Sequence, residues 1–191
     1  METRRKAVLF DGGSARRDTS PACSVVSVEL ERAAWTAETI RLDTADVSPC
    51  RGCFACWVKT PGVCIVDDAG RDLARAFIQS DLAVFVTPVT FGGYSYPLKK
   101  AVDRLIPLIL PYFRRVDGEV HHVPRYRTYP RLLAIGIGNT GSDEAEVFQA
   151  LVRRNAINMC SPQTVSCVVV DPNLPDGSDR IAASVREVIG E

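Results

Sequence analysis

Four of the seven cysteines in this 191-residue chain lie in one short stretch, CRGCFACWVKTPGVC. Cys50, Cys53 and Cys56 follow one another at intervals of three, and Cys64 comes after a Pro61-Gly62 pair that favours a turn. Short C-x-x-C steps allow successive thiolates to reach one centre while backbone amides turn toward the sulfurs. These residue types and their spacing indicate metal or redox chemistry.

Three interpretations of the cysteine loop remain open. Four thiolates match the ligand set of a [4Fe–4S] cluster, and Arg51 and Lys59 would offset the thiolate charge. Structural zinc is the second, although zinc sites more often use two separated C-x-x-C pairs. The third is a loop that binds nothing and whose thiols serve packing or redox sensing.

Composition narrows the classes of function. The 23 basic side chains balance the 23 acidic ones, so a whole-protein basic field for nucleic acid is absent. No apolar run is long enough to span a bilayer, and the basic N-terminus has too short an apolar run for a signal peptide. We therefore expect one domain over residues 1–191 in the cytoplasm, with neither a nucleic-acid nor a membrane partner.

Strand and helix signals alternate along the chain, which predicts an α/β fold with a doubly wound, five-stranded parallel sheet. The strands are expected at residues 7–10, 38–42, 82–86, 132–137 and 165–170. The helices are expected at residues 20–34, 69–80, 97–113, 143–155 and 179–189. Ser20 should cap the first helix, Asp67 or Asp68 the second, and two prolines should kink the third.

Ligands of such folds bind at the carboxyl ends of the strands, where the strand order reverses. The loop after the first strand, DGGSARRDTS, combines two glycines, several hydroxyls, Arg16, Arg17 and a helix N-terminus. That combination suits a phosphate monoester, although a plain turn before a capped helix is the open alternative. It is not a Walker loop, because no Gly-Lys-Ser/Thr follows.

Two further loops reach the same edge of the predicted sheet. In TPVTFGGYSYPLKKAVDR, Gly92 and Gly93 would let the backbone approach a flat ligand, and the aromatic residues would supply walls or simply core packing. GIGNTG, residues 136–141, matches the dinucleotide pattern literally but follows the fourth strand. Asp171 lies about 30 residues past Gly141, too far for the acid of that fingerprint. We therefore favour the interpretation that residues 136–141 form a loop beside a ligand that is shared with the loops after the first and third strands.

These segments together resemble the flavodoxin-like, NAD(P)H-dependent FMN reductases over about residues 6–171. GSARRDTS is similar to the family's phosphate loop, and TPVTFGGYSYPLKKAVDR to its isoalloxazine-binding segment. CRGCFACWVKTPGVCIVDDA is similar to the cysteine loop of a branch that includes the iron–sulfur flavoproteins. The resemblance implies a flavodoxin-like sheet with strand order 2-1-3-4-5.

The resemblance also implies roles for individual residues. The FMN contacts expected by matching position are Ser14, Arg16, Thr19 and Ser20 for the phosphate; Pro88, Val89, Thr90, Phe91, Gly92, Gly93 and Tyr94 for the ring; and Asn139, Thr140 and Gly141 for the other side. The implied ligands of a possible [4Fe–4S] cluster are Cys50, Cys53, Cys56 and Cys64. Ala15 and Asp18 depart from the family pattern, and an acid beside a phosphate is unfavourable unless it faces away or caps the helix.

The implied function is an FMN-dependent NAD(P)H oxidoreductase, with NAD(P)H as co-substrate and a small molecule or a protein as electron acceptor. The cofactor carries the hydride step, so no catalytic side chain is expected. The alternatives are an iron–sulfur flavoprotein electron carrier that uses FMN and a [4Fe–4S] cluster, and a non-catalytic flavin-binding redox sensor. The resemblance further implies a homodimer or homotetramer.

A basic, aromatic segment, RRVDGEVHHVPRYRTYPR at residues 114–131, remains outside these loops. It could clamp a phosphate and stack on a ring, which makes NADPH or a partner subunit a candidate ligand, or it could be a solvated crossover that packs on a dimer mate. Asp117 and Glu119 interrupt its charge, which argues against nucleic acid. His121 and His122 would point in opposite directions in an extended segment, which argues against a shared metal.

Overall fold

A central sheet organises the structure, a computed structural model that describes residues 5–139 and 143–191. The elements in chain order are β1 (Lys6–Asp11), α1 (Ser20–Arg32), β2 (Thr36–Arg41), α2 (Ala55–Val58), α3 (Ala69–Ile78), β3 (Leu82–Pro88), α4 (Tyr96–Asp103), a 3-10 turn (Ile106–Leu108), β4 (Ile109–Val116), β5 (Glu119–Pro124), β6 (Arg131–Ile137), α5 (Asp143–Asn158), β7 (Thr164–Val169) and α6 (Pro175–Ile189).

Five of these strands pair in parallel in the order β2-β1-β3-β6-β7. Counted among themselves, they stand in the order 2-1-3-4-5, so the predicted doubly wound, flavodoxin-like sheet is confirmed. The strand order reverses between β1 and β3, and this places the loops after those two strands side by side at the carboxyl edge.

Burial on both faces explains the apolar runs from which the strands were predicted. All seven residues of β3 are buried. Along β1, Val8 and Phe10 pack into one core with α3, α4 and α5, whereas Ala7 and Leu9 pack into a second core with α1 and α6. Successive side chains of a strand point to opposite faces, so a strand with helices on both sides must be apolar throughout.

The helix predicted at residues 97–113 is wrong beyond its first half. Helix α4 ends at Asp103, and β4 pairs with β5 as an antiparallel hairpin over residues that were predicted as helix and crossover. Pro107 and Pro111 lack the N–H groups that a helix needs. The connecting residues Asp117 and Gly118 both have positive φ, +49° and +85°, which is typical of a two-residue hairpin turn. The Asp-Gly pair was the signal that the periodicity analysis missed.

The other predicted helices and strands are confirmed, with ends that differ by a few residues. The residue that precedes α1 is Thr19 rather than Ser20, and its side chain does not cap the helix. Asp68 caps α3 as predicted, accepting a hydrogen bond from the Gly70 N–H. Among residues 5–139 and 143–191, no helix combines the length and the apolar character needed to cross a bilayer.

Candidate functional site

The loop after β1 is built around the carboxylate of Asp11, the last residue of that strand. Asp11 Oδ1 accepts a hydrogen bond from the Gly13 N–H at 2.9 Å and another from the Thr19 hydroxyl. Ser14 and Arg17 exchange backbone hydrogen bonds of 2.9 and 3.0 Å, which closes the residues between them into a tight turn. Thr19 is only 1% exposed, so its hydroxyl faces the interior of the loop.

Asp18 explains the departure from the family pattern that the sequence revealed. Its Oδ1 accepts hydrogen bonds from the Ser20 hydroxyl at 2.5 Å and from the Ser20 N–H at 2.9 Å. These two hydrogen bonds from Ser20 are the main reason that the pKa of Asp18 is lowered. Asp18 therefore caps the N-terminus of α1. Capping is one of the two arrangements that would make an acid beside a phosphate tolerable.

Arg17, not Arg16, connects the first loop to the loop after β3. Its Nη1 donates to the Val89 carbonyl at 3.3 Å and lies 3.5 Å from Thr90 Oγ1, although both arginines are exposed. The sequence shows both charges, and the resemblance implies Arg16 as the phosphate contact. No periodic signal distinguishes the two arginines, because the turn geometry alone determines which one crosses to the neighbouring loop.

The loop after β3 is a tight turn that presents Phe91 to solvent. Thr90 and Gly93 exchange backbone hydrogen bonds of 3.0 and 2.9 Å, and Phe91 and Gly92 both have positive φ, +50° and +72°. The Phe91 ring is 92% exposed. A bulky residue with positive φ is rare and strained, and such strain often accompanies a functional site.

The side chain of Tyr94 does not lie where it could form a wall of a site for the flavin ring. Its side chain is buried, with edge-to-face contacts to Phe85 and Phe148. Its hydroxyl accepts a hydrogen bond from Asn155 Nδ2 at 3.2 Å, and burial raises the pKa of that hydroxyl to about 12. The ring of Tyr94 thus belongs to the core, and only the backbone at position 94 is available to a ligand in this conformation.

A cleft of about 350 Å³ opens where these loops meet at the carboxyl ends of β1, β3, β6 and β7. It is lined by Arg17, Asp18, Thr19, Pro88, Val89, Ile137, Gly138 and Val170. Its volume falls within the usual range for small-molecule sites, about 300–1,000 Å³. Asn139 lies beside Gly138 in an exposed position, and Thr140 and Gly141 lie outside the described residues.

The cleft fits one part of FMN better than the other. On the ring side, Val89 and Ile137 give the cleft an apolar lining that suits a flat, largely apolar group, whereas Phe91 and Gly92 are not among the residues that line it. On the phosphate side, the hydroxyls of Thr19 and Ser20 already bind carboxylates of the chain itself. The donor chemistry is right for a phosphate, but these donors have internal acceptors.

The cysteine loop begins at Cys50, nine residues after β2 ends at Arg41. All four of its cysteines line a second pocket, of about 280 Å³, which they share with Arg104. Cys50 and Cys53 are exposed, Cys64 is half-buried, and Cys56 is buried on the short helix α2. Burial, together with the neighbouring thiols of the loop, raises the pKa of Cys56.

The pocket has the donor chemistry of a thiophilic centre, but its thiols are not drawn together. Within the described parts of the chain, no three Cys, His, Asp or Glu side chains converge in a geometry that could hold a metal ion. Arg104 Nε, which is buried at this pocket, has no hydrogen-bond partner among the residues that the structure describes. A buried guanidinium with an unused donor beside four thiols suits a negatively charged thiolate centre.

Arg104 and Asp68 anchor the cysteine loop from inside. Arg104 donates to both carboxylate oxygens of Asp68 and, at 2.7 Å, to the Ser48 carbonyl. Burial opposes ionisation of Asp68, but the hydrogen bonds from Arg104, Ser48 and Gly70 outweigh it and hold the pKa of that carboxyl well below its usual range. The sequence predicts Asp67 or Asp68 as a cap but does not predict this pair, because nothing in a local pattern relates residues so far apart.

A row of aromatic rings links the cysteine loop to the β4–β5 hairpin. Phe54 stacks on Trp57, Trp57 lies against His122, and ring centroids along these contacts are 5.0 and 5.1 Å apart. Trp57 Nε1 donates to the Ile109 carbonyl at 2.9 Å. His121 lies near Asn158 and Glu119, whereas His122 bonds to the Leu110 carbonyl. The two histidines thus have separate partners, as their adjacent positions in a strand predicted.

Comparisons with known proteins agree with this geometry. Residues 6–170 match the family model described as NADPH-dependent FMN reductase. An iron-sulfur flavoprotein of Archaeoglobus fulgidus is 24% identical over 140 residues, which cover 73% of this chain and 64% of the relative. An iron-sulfur flavoprotein of Methanocaldococcus jannaschii is 30% identical over 114 residues, which cover 59% of this chain and 51% of the relative. The chain thus spans between about half and two thirds of the length of these two curated relatives.

A solved structure has the same fold over nearly the whole chain. The NAD(P)H:quinone oxidoreductase from Methanothermobacter marburgensis superposes with a TM-score of 0.65 at 11% identity. The match covers 96% of this chain and 94% of that one. At this identity the likeness establishes the shared fold.

Proposed function

The chain belongs to the NADPH-dependent FMN reductase family, and from that premise we propose that it is an FMN-dependent NAD(P)H oxidoreductase that passes electrons to a small-molecule or protein acceptor. The observation that carries the proposal is the cleft of about 350 Å³ where the loops after β1, β3 and β6 meet. Bound FMN would supply the hydride chemistry, and the protein would supply binding and orientation.

The chain's own residues would act by position. The turn from Pro88 to Gly93 would bring backbone amides and the exposed Phe91 against the flavin ring, while Asn139, Thr140 and Gly141 would close the opposite side. Of the predicted phosphate contacts, Ser14 and Arg16 would face the phosphate, whereas the Thr19 and Ser20 hydroxyls would first have to give up their bonds to Asp11 and Asp18. Tyr94 would contribute only its backbone, because its ring packs in the core.

No side chain is assigned a proton-transfer role. The Tyr94 hydroxyl is the titratable side-chain group within the ring segment, residues 88–94, and its pKa of about 12 keeps it protonated near neutral pH. This agrees with a reaction in which the cofactor carries the bond-making step.

Titration of the purified protein with FMN tests the proposal directly. We expect quenching of flavin fluorescence to saturate at one FMN per chain, and NADPH or NADH to bleach the bound flavin under anaerobic conditions. Quinones and free flavins are then offered as acceptors, with NAD(P)H oxidation as the readout. A protein that leaves FMN fluorescence unchanged throughout the titration contradicts the proposal.

A second candidate function is an iron–sulfur flavoprotein electron carrier. The observation that favours it is that four cysteines and the buried Arg104 line one pocket, in a chain that is similar to proteins named iron-sulfur flavoprotein. Cys50, Cys53, Cys56 and Cys64 would hold the cluster, and the Nε–H of Arg104, whose terminal nitrogens pair with Asp68, would be available to donate to it. Anaerobic reconstitution followed by iron, sulfide and zinc analysis separates this function from a zinc site and from an empty loop.

We also propose that residues 1–191 act as one domain that works in the cytoplasm as a homodimer or homotetramer. In the described residues all seven cysteines are free thiols, which suits a reducing compartment. The hairpin exposes Tyr112, Phe113 and Val120, large apolar side chains that a second copy could cover. Sedimentation equilibrium with and without FMN measures the assembly, and a purely monomeric protein under both conditions contradicts this part.

A further inference from the structure

Asp11 holds two donors of the loop that is expected to bind phosphate. It stands at the end of β1, is 6% exposed, and accepts hydrogen bonds from the Gly13 N–H and the Thr19 hydroxyl with the same oxygen. The fit is tight, since a Cβ on Gly13 would come within 2.0 Å of Thr19 Oγ1. The loop therefore closes on a carboxylate of its own.

A second carboxylate occupies the adjoining donors. Asp18 accepts both the hydroxyl and the N–H of Ser20 at the start of α1. The negative charges of Asp11 and Asp18 both act on Cys23, which lies in the first turn of that helix. Burial is the main reason that the pKa of the Cys23 thiol rises to about 12, and the charges of Asp11 and Asp18 contribute further.

Two of the three nearby arginines have hydrogen bonds elsewhere, and the third, Arg16, is exposed. Arg17 donates to the Val89 carbonyl, and Arg41 pairs with Asp43 at 2.8 Å. A phosphate that entered this loop would thus have to take the Gly13 and Thr19 donors from Asp11, or lie beside two carboxylates without them. Both arrangements disfavour a doubly charged ligand, because like charges in a partly buried site repel strongly.

We propose that Asp11 is a specificity-determining residue of the flavin site, whose carboxylate competes with the flavin phosphate for the Gly13 N–H and the Thr19 hydroxyl. The consequence is that this chain gains little affinity from the phosphate and binds FMN and riboflavin about equally. The inference rests on the proposed flavin function, but it concerns only the phosphate end of the ligand.

Replacing Asp11 with asparagine tests the inference by binding alone. Asp11→Asn keeps the shape and the acceptor oxygen but removes the charge. Wild type, Asp11→Asn and the charge-matched control Asp72→Asn, which lies on the exposed surface of α3, are each titrated with FMN and with riboflavin by fluorescence quenching at low salt. We expect Asp11→Asn to bind FMN about tenfold more tightly, with riboflavin affinity unchanged, and Asp72→Asn to match wild type.

Thr19→Val provides an independent measurement if Asp11→Asn does not fold. With the Thr19 hydroxyl held by Asp11, loss of that hydroxyl should leave the ratio of FMN to riboflavin affinity unchanged in the wild-type background. A ratio that falls about tenfold in Thr19→Val means that the hydroxyl binds phosphate, and it overturns the inference. A wild-type protein that binds FMN about a hundredfold more tightly than riboflavin, with no gain in Asp11→Asn, overturns it as well.

Failure of the proposed function and failure of the inference about Asp11 give different binding results. Absence of binding for both flavins in all variants removes the proposed function, and the inference with it. Strong FMN binding that depends on the phosphate and does not respond to Asp11 removes only the inference.

Discussion

Arg104 and Asp68 form a two-pronged ion pair in the protein interior, with Nη1 and Nη2 lying 2.8 and 2.7 Å from the two carboxylate oxygens. Both side chains are almost completely buried. The pair joins the C-terminal end of α4 to the N-terminus of α3, and through the Ser48 backbone it reaches the segment that leads into the cysteines. It determines where the cysteine loop lies relative to the sheet.

Loss of Arg104 should destabilise the fold strongly. Arg104→Met leaves the Asp68 carboxylate buried without its cation, and breaking a buried pair in this way costs about 3–5 kcal/mol in the free energy of unfolding. Urea denaturation at neutral pH measures the change. Arg75→Met, which breaks the exposed pair with Asp72 on the surface of α3, is the matched control and should cost less than about 1 kcal/mol. Equal losses in the two variants would contradict the central role of the buried pair.

The same pair predicts a specific dependence of stability on pH. Because the folded-state pKa of Asp68 lies below its usual value, its stabilising contribution is complete above the unfolded pKa of about 3.9 and disappears as the pH falls toward the lower folded value. The gap in unfolding free energy between wild type and Asp68→Asn should therefore shrink as the pH falls below about 4. Urea denaturation from pH 7 to pH 3 checks this, with the exposed neighbour Asp67→Asn as the control. A gap that widens on acidification would falsify the assignment.

The turn that is expected to contact the flavin ring should require glycine at position 92 for two reasons, its positive φ and the lack of space for a Cβ. Alanine variants of Gly92 and Gly118 separate the two effects. The φ of Gly92 is +72°, and a Cβ there would lie 2.6 Å from Val147 Cγ1. Gly118 has a φ of +85° with nothing within 4 Å of such a Cβ. Gly118→Ala thus reports the left-handed strain alone, about 1 kcal/mol, whereas Gly92→Ala adds a clash with α5.

We expect Gly92→Ala to lose about 2 kcal/mol or more of unfolding free energy and to weaken FMN binding about tenfold. Gly118→Ala should leave FMN binding unchanged. Thermal denaturation and fluorescence titration of both variants give the comparison. Identical FMN affinities in the two variants would show that the turn at Gly92 does not contact the flavin.

Cysteine substitution tests the second candidate function. If the loop holds a cluster, Cys53→Ser should lower iron and sulfide after anaerobic reconstitution to a small fraction of the wild-type content, because one of four ligands is lost. Cys167→Ser is the control, since Cys167 is buried in β7, outside the cysteine pocket. Iron analysis and the visible spectrum are the readouts. Iron that remains equal in both variants would assign the loop to packing or redox sensing.

Local patterns were enough to predict the fold. Apolar runs such as 82–86 predict buried parallel strands, and alternation of such runs with helices predicts the doubly wound sheet and the edge at which its loops meet. The same reasoning placed the phosphate-type and ring-type loops at one cleft, and identified Asp67 or Asp68 as a cap. It failed at the β4–β5 hairpin, where Ile109 had helical spacing with residues of α4 and the Asp-Gly turn was overlooked.

The partner of each polar group was decided only by the tertiary structure. The sequence contains Asp11, Thr19 and Arg17, but the turn that closes the first loop determines that Thr19 bonds to Asp11 and that Arg17 crosses to Val89. Arg104 meets Asp68 because α4 and α3 pack on the same face of the sheet. Periodicity depends on neighbours within a few residues, whereas hydrogen bonds and ion pairs in a buried site depend on which distant segments the packing of the core brings together.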